Sequence, residues 1–252
     1  MQPFAVAGGF IATNNPLALL SLRPFMSQSL ARPSSTASFA SSSASTSKDY
    51  VDDDSKPHIL CLHGKFQSGS SFSNKIGGAR RKIAREYTLD FLDGPILLDE
   101  SGDARSWWHR SDDGKHTLVR EAFEYVIDQT EKDQYEAIIG FSQGGTLATA
   151  LALSGALPNV RCVITAGSPF IEEAFEVASE LSNSSSFIGY DIAKLHLAGE
   201  TDAMVPVDST RELCEKGGNG KLILHEQGHL FPTRSARVKE ILDFLGMALS
   251  EK

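Results

Sequence analysis

The pentapeptide Gly140-Phe141-Ser142-Gln143-Gly144 constrains this chain more than any other feature. An apolar run of strand character, residues 135–139, precedes it, and a run of small and apolar residues, 145–153, follows with helix character. Strand, Gly-x-Ser-x-Gly turn and helix, in that order, describe a nucleophile elbow. Such a turn holds its serine in a strained conformation at the carboxyl edge of a sheet, and glycine neighbours leave room for the turn and for an approaching substrate. A glycine-rich turn with a bystander serine is the plain alternative, so the surrounding sequence has to decide.

That surrounding sequence alternates between strand and helix patterns. The short apolar run at 58–62 reads as a buried strand, and those at 88–92, 160–166, 195–199 and 221–225 read as further strands. Segments 73–87, 117–131, 172–181 and 235–249 read as helices, the second with Leu118, Ala122, Phe123, Val126 and Ile127 along one face. Residues 96–116 read as irregular, and the serine-rich run at 182–186 as a surface loop. Alternation of this kind implies crossover connections and an α/β fold with a mainly parallel central sheet covered by helices on both faces. Ligands in such folds sit beyond the carboxyl ends of the strands. Every candidate functional residue below falls at such an end.

Charge and composition divide the chain in two. Residues 1–47 hold no acidic residue and only two arginines, Arg23 and Arg32, and 34–47 is almost entirely Ser, Thr and Ala. A segment so poor in apolar residues cannot offset its ordering entropy. The expectation is a disordered segment over 1–55, acting as an organelle (mitochondrial or plastid) transit peptide followed by an acidic linker; without that role the protein would be cytoplasmic. The apolar stretch near the start is broken by Asn14, Asn15 and Pro16, so no membrane span is expected. The domain proper is 56–252. With the tail's charge positive, the domain is more acidic than the net −8 of the whole chain, which argues against nucleic acid as a partner. Three cysteines, Cys61, Cys162 and Cys214, without paired spacing read as reduced, buried thiols. No metal-ligand pattern is present, and no metal or cofactor is expected.

A serine hydroxyl needs a base to take its proton, and the base needs an orienting acid. In an elbow-bearing fold these follow in the order Ser, acid, His. Of the downstream histidines, His196 lies mid-strand, His225 ends a strand, and His229 lies in the loop past the last strand, where its ring can swing back over the elbow. His229 is the preferred base, with His225 its rival. The acid should leave the preceding strand, which puts Asp202 first, ahead of Glu200 and Asp208. An oxyanion site needs two N–H donors: the amide of Gln143, and one from the loop after the first strand, assigned to Lys65 with Phe66 as runner-up. His63 reads as a structural pin for that loop. Trp107 and Trp108 form an adjacent pair in a loop; one is expected to pack the domain and the other to line an acyl or leaving-group pocket, with Phe66 and Phe170 as further lining.

Taken together, Leu62-His63-Gly64, Asp93-Gly94-Pro95, Trp107-Trp108, the serine pentapeptide, Gly199-Glu200-Thr201-Asp202 with Pro206, and Gly228-His229 with Pro232 resemble the FSH serine hydrolases of the α/β-hydrolase fold. That group includes esterases related to the ovarian-cancer-associated candidate tumour suppressor and fungal polyketide-releasing thioesterases. The resemblance covers about residues 57–249. It implies a carboxylesterase or thioesterase with a minimal lid, with Ser142, Asp202 and His229 at the matching motif positions. Two departures stand out. Lys65 replaces a residue usually aromatic or apolar in that group, which places a cation near the pocket mouth and favours substrates with a distal acidic group. The loop after Asp93-Gly94-Pro95 is short, which makes a shallower pocket.

The expected activity is therefore hydrolysis of a small-molecule acyl ester or thioester through an acyl-enzyme. A ligand-binding sensor or scaffold on the same fold, with little turnover, is the alternative.

Overall fold

The computed structural model describes residues 56–130, 134–182 and 187–250. The expected transit-like segment and acidic linker, and most of the serine-rich loop, lie outside the described residues. The elements run β1 (His58–Leu62), α1 (Gly69–Lys75), α2 (Gly77–Ile83), β2 (Thr88–Leu92), β3 (Ile96–Leu97), β4 (Arg105–Ser106), β5 (His109–Arg110), β6 (His116–Thr117), α3 (Val119–Gln129), β7 (Tyr135–Phe141), α4 (Gln143–Ser154), β8 (Cys162–Ala166), α5 (Glu172–Ser182), β9 (Ala193–Gly199), α6 (Val207–Lys216), β10 (Gly220–His225) and α7 (Ser235–Ser250).

Six strands form one parallel sheet in the order β10-β9-β8-β7-β1-β2. The chain moves from β1 outward to β2, then returns to β7 and builds in the other direction. The order therefore reverses between β1 and β7, and a crevice opens at their carboxyl ends. Leu62 pairs with Gly140 at this reversal, so the loop after β1 and the turn after β7 face each other across it.

Period-two alternation assigns the strand side chains to two cores. Leu60, Leu62, Ile138 and Val163 pack under α3, α4 and α5 with Phe123, Leu147 and Leu151. Ile59, Cys61, Ile139, Ile164 and Leu197 pack on the other face with Phe72, Ile83, Val238 and Ile241 from α1, α2 and α7. All three cysteines are buried and free. Among the described residues no helix is long and apolar enough to cross a membrane.

The structure departs from the sequence reading in three places. The helix expected over 73–87 is two short ones, broken at Ile76 just before Gly77-Gly78, two poor helix formers in succession. It also starts earlier, because Ser68 and Ser71 cap each other reciprocally at its amino end. Within 96–117 lie two small antiparallel ribbons, β3 with β4 and β5 with β6. Leu118 does not join the apolar face of α3; it precedes the helix in a left-handed conformation (φ 64°) and is exposed.

Candidate active site

Ser142 occupies the turn between β7 and α4 with φ 52° and ψ −120°, a region that non-glycine residues enter only under constraint. The constraint is visible on both sides. Its N–H donates to Ala166 O at 2.9 Å, and its carbonyl accepts from Gly145 and Thr146 at 3.0 and 3.2 Å. Close packing requires glycine behind it: a Cβ on Gly144 would stand 2.3 Å from Leu62 O and 2.4 Å from His63 O. The amino end of α4 can thus press against the end of β1, and the serine is pushed into the crevice.

His229 reaches the serine from the loop between β10 and α7. Its Nε2 lies 3.1 Å from Ser142 Oγ, and its Nδ1 lies 2.7 Å from Asp202 Oδ2. An ionised carboxylate only accepts, so Nδ1 carries the proton and Nε2 is left to accept from the hydroxyl. The Asp202 side chain is only 1% exposed. Its other oxygen, Oδ1, accepts from the N–H groups of Met204 and Val205 at 2.8 and 2.9 Å, which fixes the loop before α6. Asp202 therefore shapes its own loop and holds the imidazole at once. The Phe141 ring packs against the imidazole, with centroids 4.9 Å apart.

The rival residues lie elsewhere. Glu200 is exposed, and the Asp208 carboxylate is 95% exposed beside Arg211. His196 is buried in β9 with Nδ1 at 2.8 Å from Thr165 Oγ1, and burial pushes its pKa down to about 3. His225 is also buried, accepting from Gln227 N–H at 3.3 Å, and is not joined to the serine.

Two amides point to an anion site. Gln143 N–H and Lys65 N–H have no acceptor among the described residues, whereas Phe66 N–H already donates to Arg105 O at 2.8 Å. The runner-up donor is thereby occupied. Phe66 takes the strain of the loop instead, with φ 63°, and lends its exposed ring to the cleft. His63 pins the loop as the sequence suggests. Its Nδ1 donates to Gly64 O and its Nε2 accepts from Gly94 N–H, both at 2.8 Å. It is fully buried, and desolvation lowers its pKa to about 4, so the ring stays neutral as these bonds require.

Both tryptophans are buried, and they divide between packing and lining. Trp107 Nε1 donates to His63 O at 2.8 Å, so it serves the loop; only Trp108 also lines the cleft. The reason is a clamp that sequence reasoning missed: the Gln143 side chain accepts from Trp107 N–H at 2.9 Å and donates to Trp108 O at 3.0 Å. One residue thus offers its amide to the crevice while its side chain ties down the segment that joins the two ribbons. Phe170 does not line the cleft. It turns to a separate groove, where its ring meets Phe175 at 4.9 Å, and its neighbours Pro169 and Ile171 border the cleft instead. Gly167 was also missed. It has φ 53°, and a Cβ there would come within 3.1 Å of His229 Nδ1 and 3.3 Å of Asp202 Oδ2. Its place directly after a strand was the available signal.

The cleft itself measures about 460 Å³, with an apolar floor that includes Trp108, Phe141, Pro169 and Ile171 beside Ser142 and His229. Among the described residues no group of three His, Cys, Asp or Glu side chains is placed to hold a metal ion. An aligned hydroxyl, imidazole and carboxylate beside two free amides can activate a nucleophile and receive an oxyanion.

Comparison with known proteins agrees with this geometry. Residues 52–241 match the serine hydrolase (FSH1) family. A Schizosaccharomyces pombe protein named dihydrofolate reductase is 28% identical over 218 residues, which cover 76% of this chain but 47% of that protein, so this chain spans about half its length. An esterase of Aedes aegypti is 27% identical over 232 residues, covering 81% of each chain. Among solved structures, esterase PE8 superposes with a TM-score of 0.58 at 18% identity, over 77% of this chain and 93% of that one, a likeness of fold.

Proposed function

The chain belongs to the serine hydrolase (FSH1) family and is a hydrolytic enzyme, and from that premise we propose that it cleaves carboxylic esters or thioesters of a small acyl substrate through an acyl-enzyme on Ser142. One observation carries the reading: a single imidazole bridges a buried carboxylate at 2.7 Å and the hydroxyl of a backbone-strained serine at 3.1 Å.

In this mechanism Ser142 Oγ attacks the acyl carbonyl while His229 Nε2 takes the hydroxyl proton. Asp202 stabilises the imidazolium through the Nδ1–H bond and keeps its proton state unchanged. The carbonyl oxygen, now negative, receives the Gln143 and Lys65 amides; each such donor is worth about 3 kcal/mol of transition-state stabilisation. The tetrahedral adduct collapses, His229 gives the proton to the leaving oxygen or sulfur, and the C–O or C–S bond breaks. Water then enters, loses its proton to His229, and attacks the acyl-enzyme; the acid leaves and Ser142 regains its proton.

The test is a panel of 4-nitrophenyl esters and acyl thioesters of increasing chain length, run on the full chain and on Ser142→Ala, Asp202→Asn and His229→Ala. Turnover that falls by about 10³-fold or more in each variant supports the reading. Wild-type protein that binds esters without turnover would replace it with a ligand-binding role.

A further inference from the structure

The chain carries an excess of acid, at net −8, yet the ionised side chains that line the cleft are cations: Lys65, Lys75 and Arg110. Asp202 is sealed beneath His229. Glu173 is taken up by His116, which lines the cleft: the His116 N–H donates to it at 3.0 Å and the Nδ1 lies 3.3 Å from its second oxygen. None of the three cations has an acidic partner among the described residues. Lys65 Nζ rests over the Phe66 ring, 5.0 Å from its centroid. They come from three separate segments, the loop after β1, the end of α1 and the β5–β6 ribbon, so no single helix or charge run explains their meeting.

Lys75 stands on a wall shared by two hollows. The second hollow, of about 330 Å³, is lined by Phe72, Ile76 and Phe231 and shares Gln67, Lys75, Phe141 and His229 with the cleft. Lys75 therefore borders both hollows, while Lys65 and Arg110 line the cleft alone. The rest of the lining is largely apolar, which suits a hydrocarbon body with one charged end.

We propose that the rim formed by Lys65, Lys75 and Arg110 selects esters or thioesters that carry an anionic group, a carboxylate or phosphate, remote from the scissile bond. The inference rests on the serine-hydrolase reading of the same cleft. Cations around a low-dielectric cleft raise the local concentration of an anionic substrate and hold its charged end, an effect that salt screens.

The experiment compares charged and neutral isosteres on the full chain. For the acyl side, mono-4-nitrophenyl glutarate is set against its terminal amide; for the leaving side, butyryl-coenzyme A is set against butyryl-N-acetylcysteamine. At low salt, kcat/KM for the anionic member of at least one pair exceeds the neutral member by about tenfold, and about 0.5 M NaCl removes most of the gap. Lys75→Gln and Arg110→Gln each lower the anionic rate about threefold and together about tenfold, with the neutral rate kept within twofold. Lys75→Glu with Arg110→Glu inverts the preference, and thermal melts check that it folds. Which pair responds identifies whether the anion rides on the acyl or the leaving half. Equal rates for both members of both pairs, or a preference untouched by the double variant, overturn the proposal. Failure of every probe, neutral ones included, overturns the serine-hydrolase reading instead.

Discussion

Replacing Gly167 with alanine tests the assembly of the site without replacing any residue that reacts. The residue has φ 53°, where an L side chain costs about 1–2 kcal/mol, well within the margin of a folded domain. The added Cβ would stand 3.1 Å from His229 Nδ1, 3.2 Å from His229 Cε1 and 3.3 Å from Asp202 Oδ2, so the pair has to retreat by a few tenths of an ångström. Retreat is hindered, because the Phe141 ring backs the imidazole at 4.9 Å. The bonds at risk measure 2.7 and 3.1 Å, and the longer one, to the serine, loses its alignment first. A misplacement of about 1 Å costs about 100-fold in rate, so a few tenths should cost about tenfold, or about 1.4 kcal/mol of barrier. The loss should fall on kcat, since the imidazole acts in the transition state and not in substrate binding. Steady-state hydrolysis of a short nitrophenyl ester, with urea melts to measure the strain separately, reads both numbers. A folded Gly167→Ala protein with kcat within twofold of wild type would refute the reasoning.

Further consequences concern the scaffold and the leading segment. Gln143→Ala removes both bonds that hold the tryptophan pair and leaves two buried backbone groups unpaired, so stability should fall by about 2–4 kcal/mol in urea melts, and activity with it. Acid should destabilise the fold through His63, whose folded pKa of about 4 lies below its ordinary 6.5. Below pH 6.5 the unfolded chain binds the proton first, so stability is full above that pH and is lost as pH falls towards 4, by about 3 kcal/mol for this group. His63→Asn should flatten the slope of stability against pH in that window by about 1 kcal/mol per unit; an unchanged slope contradicts the assignment. Residues 1–55 fused to a fluorescent protein should direct it to an organelle, and uniform cytosolic fluorescence would remove that role.

Much of the site is legible in the sequence because its signals are local. A nucleophile elbow compresses strand, turn and helix into about fifteen residues, and its glycines are required by contacts within a few ångströms. The acid and the base announce themselves by position after strands, which parallel topology converts into nearness at one sheet edge. What the sequence conceals is contact between distant segments. The Gln143 side chain meets Trp107 and Trp108 from 36 and 35 residues away, and no periodicity encodes that clamp. Gly167 looks like an ordinary turn glycine until His229 arrives from the far end of the chain. Lys194 is buried with its Nζ donating to the carbonyls of Gly189, Tyr190 and Ile192, partners that only the folded loop supplies, and its pKa falls to about 8 through desolvation. Phe170 was misjudged for the opposite reason: a segment that borders the cleft through Pro169 and Ile171 turns one side chain away. The ribbons at 96–117 escaped notice because two-residue strands carry no periodic signal.

The account stands or falls on the nucleophilicity of one hydroxyl. Treatment of the full chain with a fluorophosphonate, followed by mass-spectrometric mapping of the adduct, measures it directly. The account predicts a single adduct on Ser142, slowed by at least about 100-fold in His229→Ala and absent in Ser142→Ala. An unmodified protein, or an adduct on another serine such as the neighbouring Ser168, would contradict it.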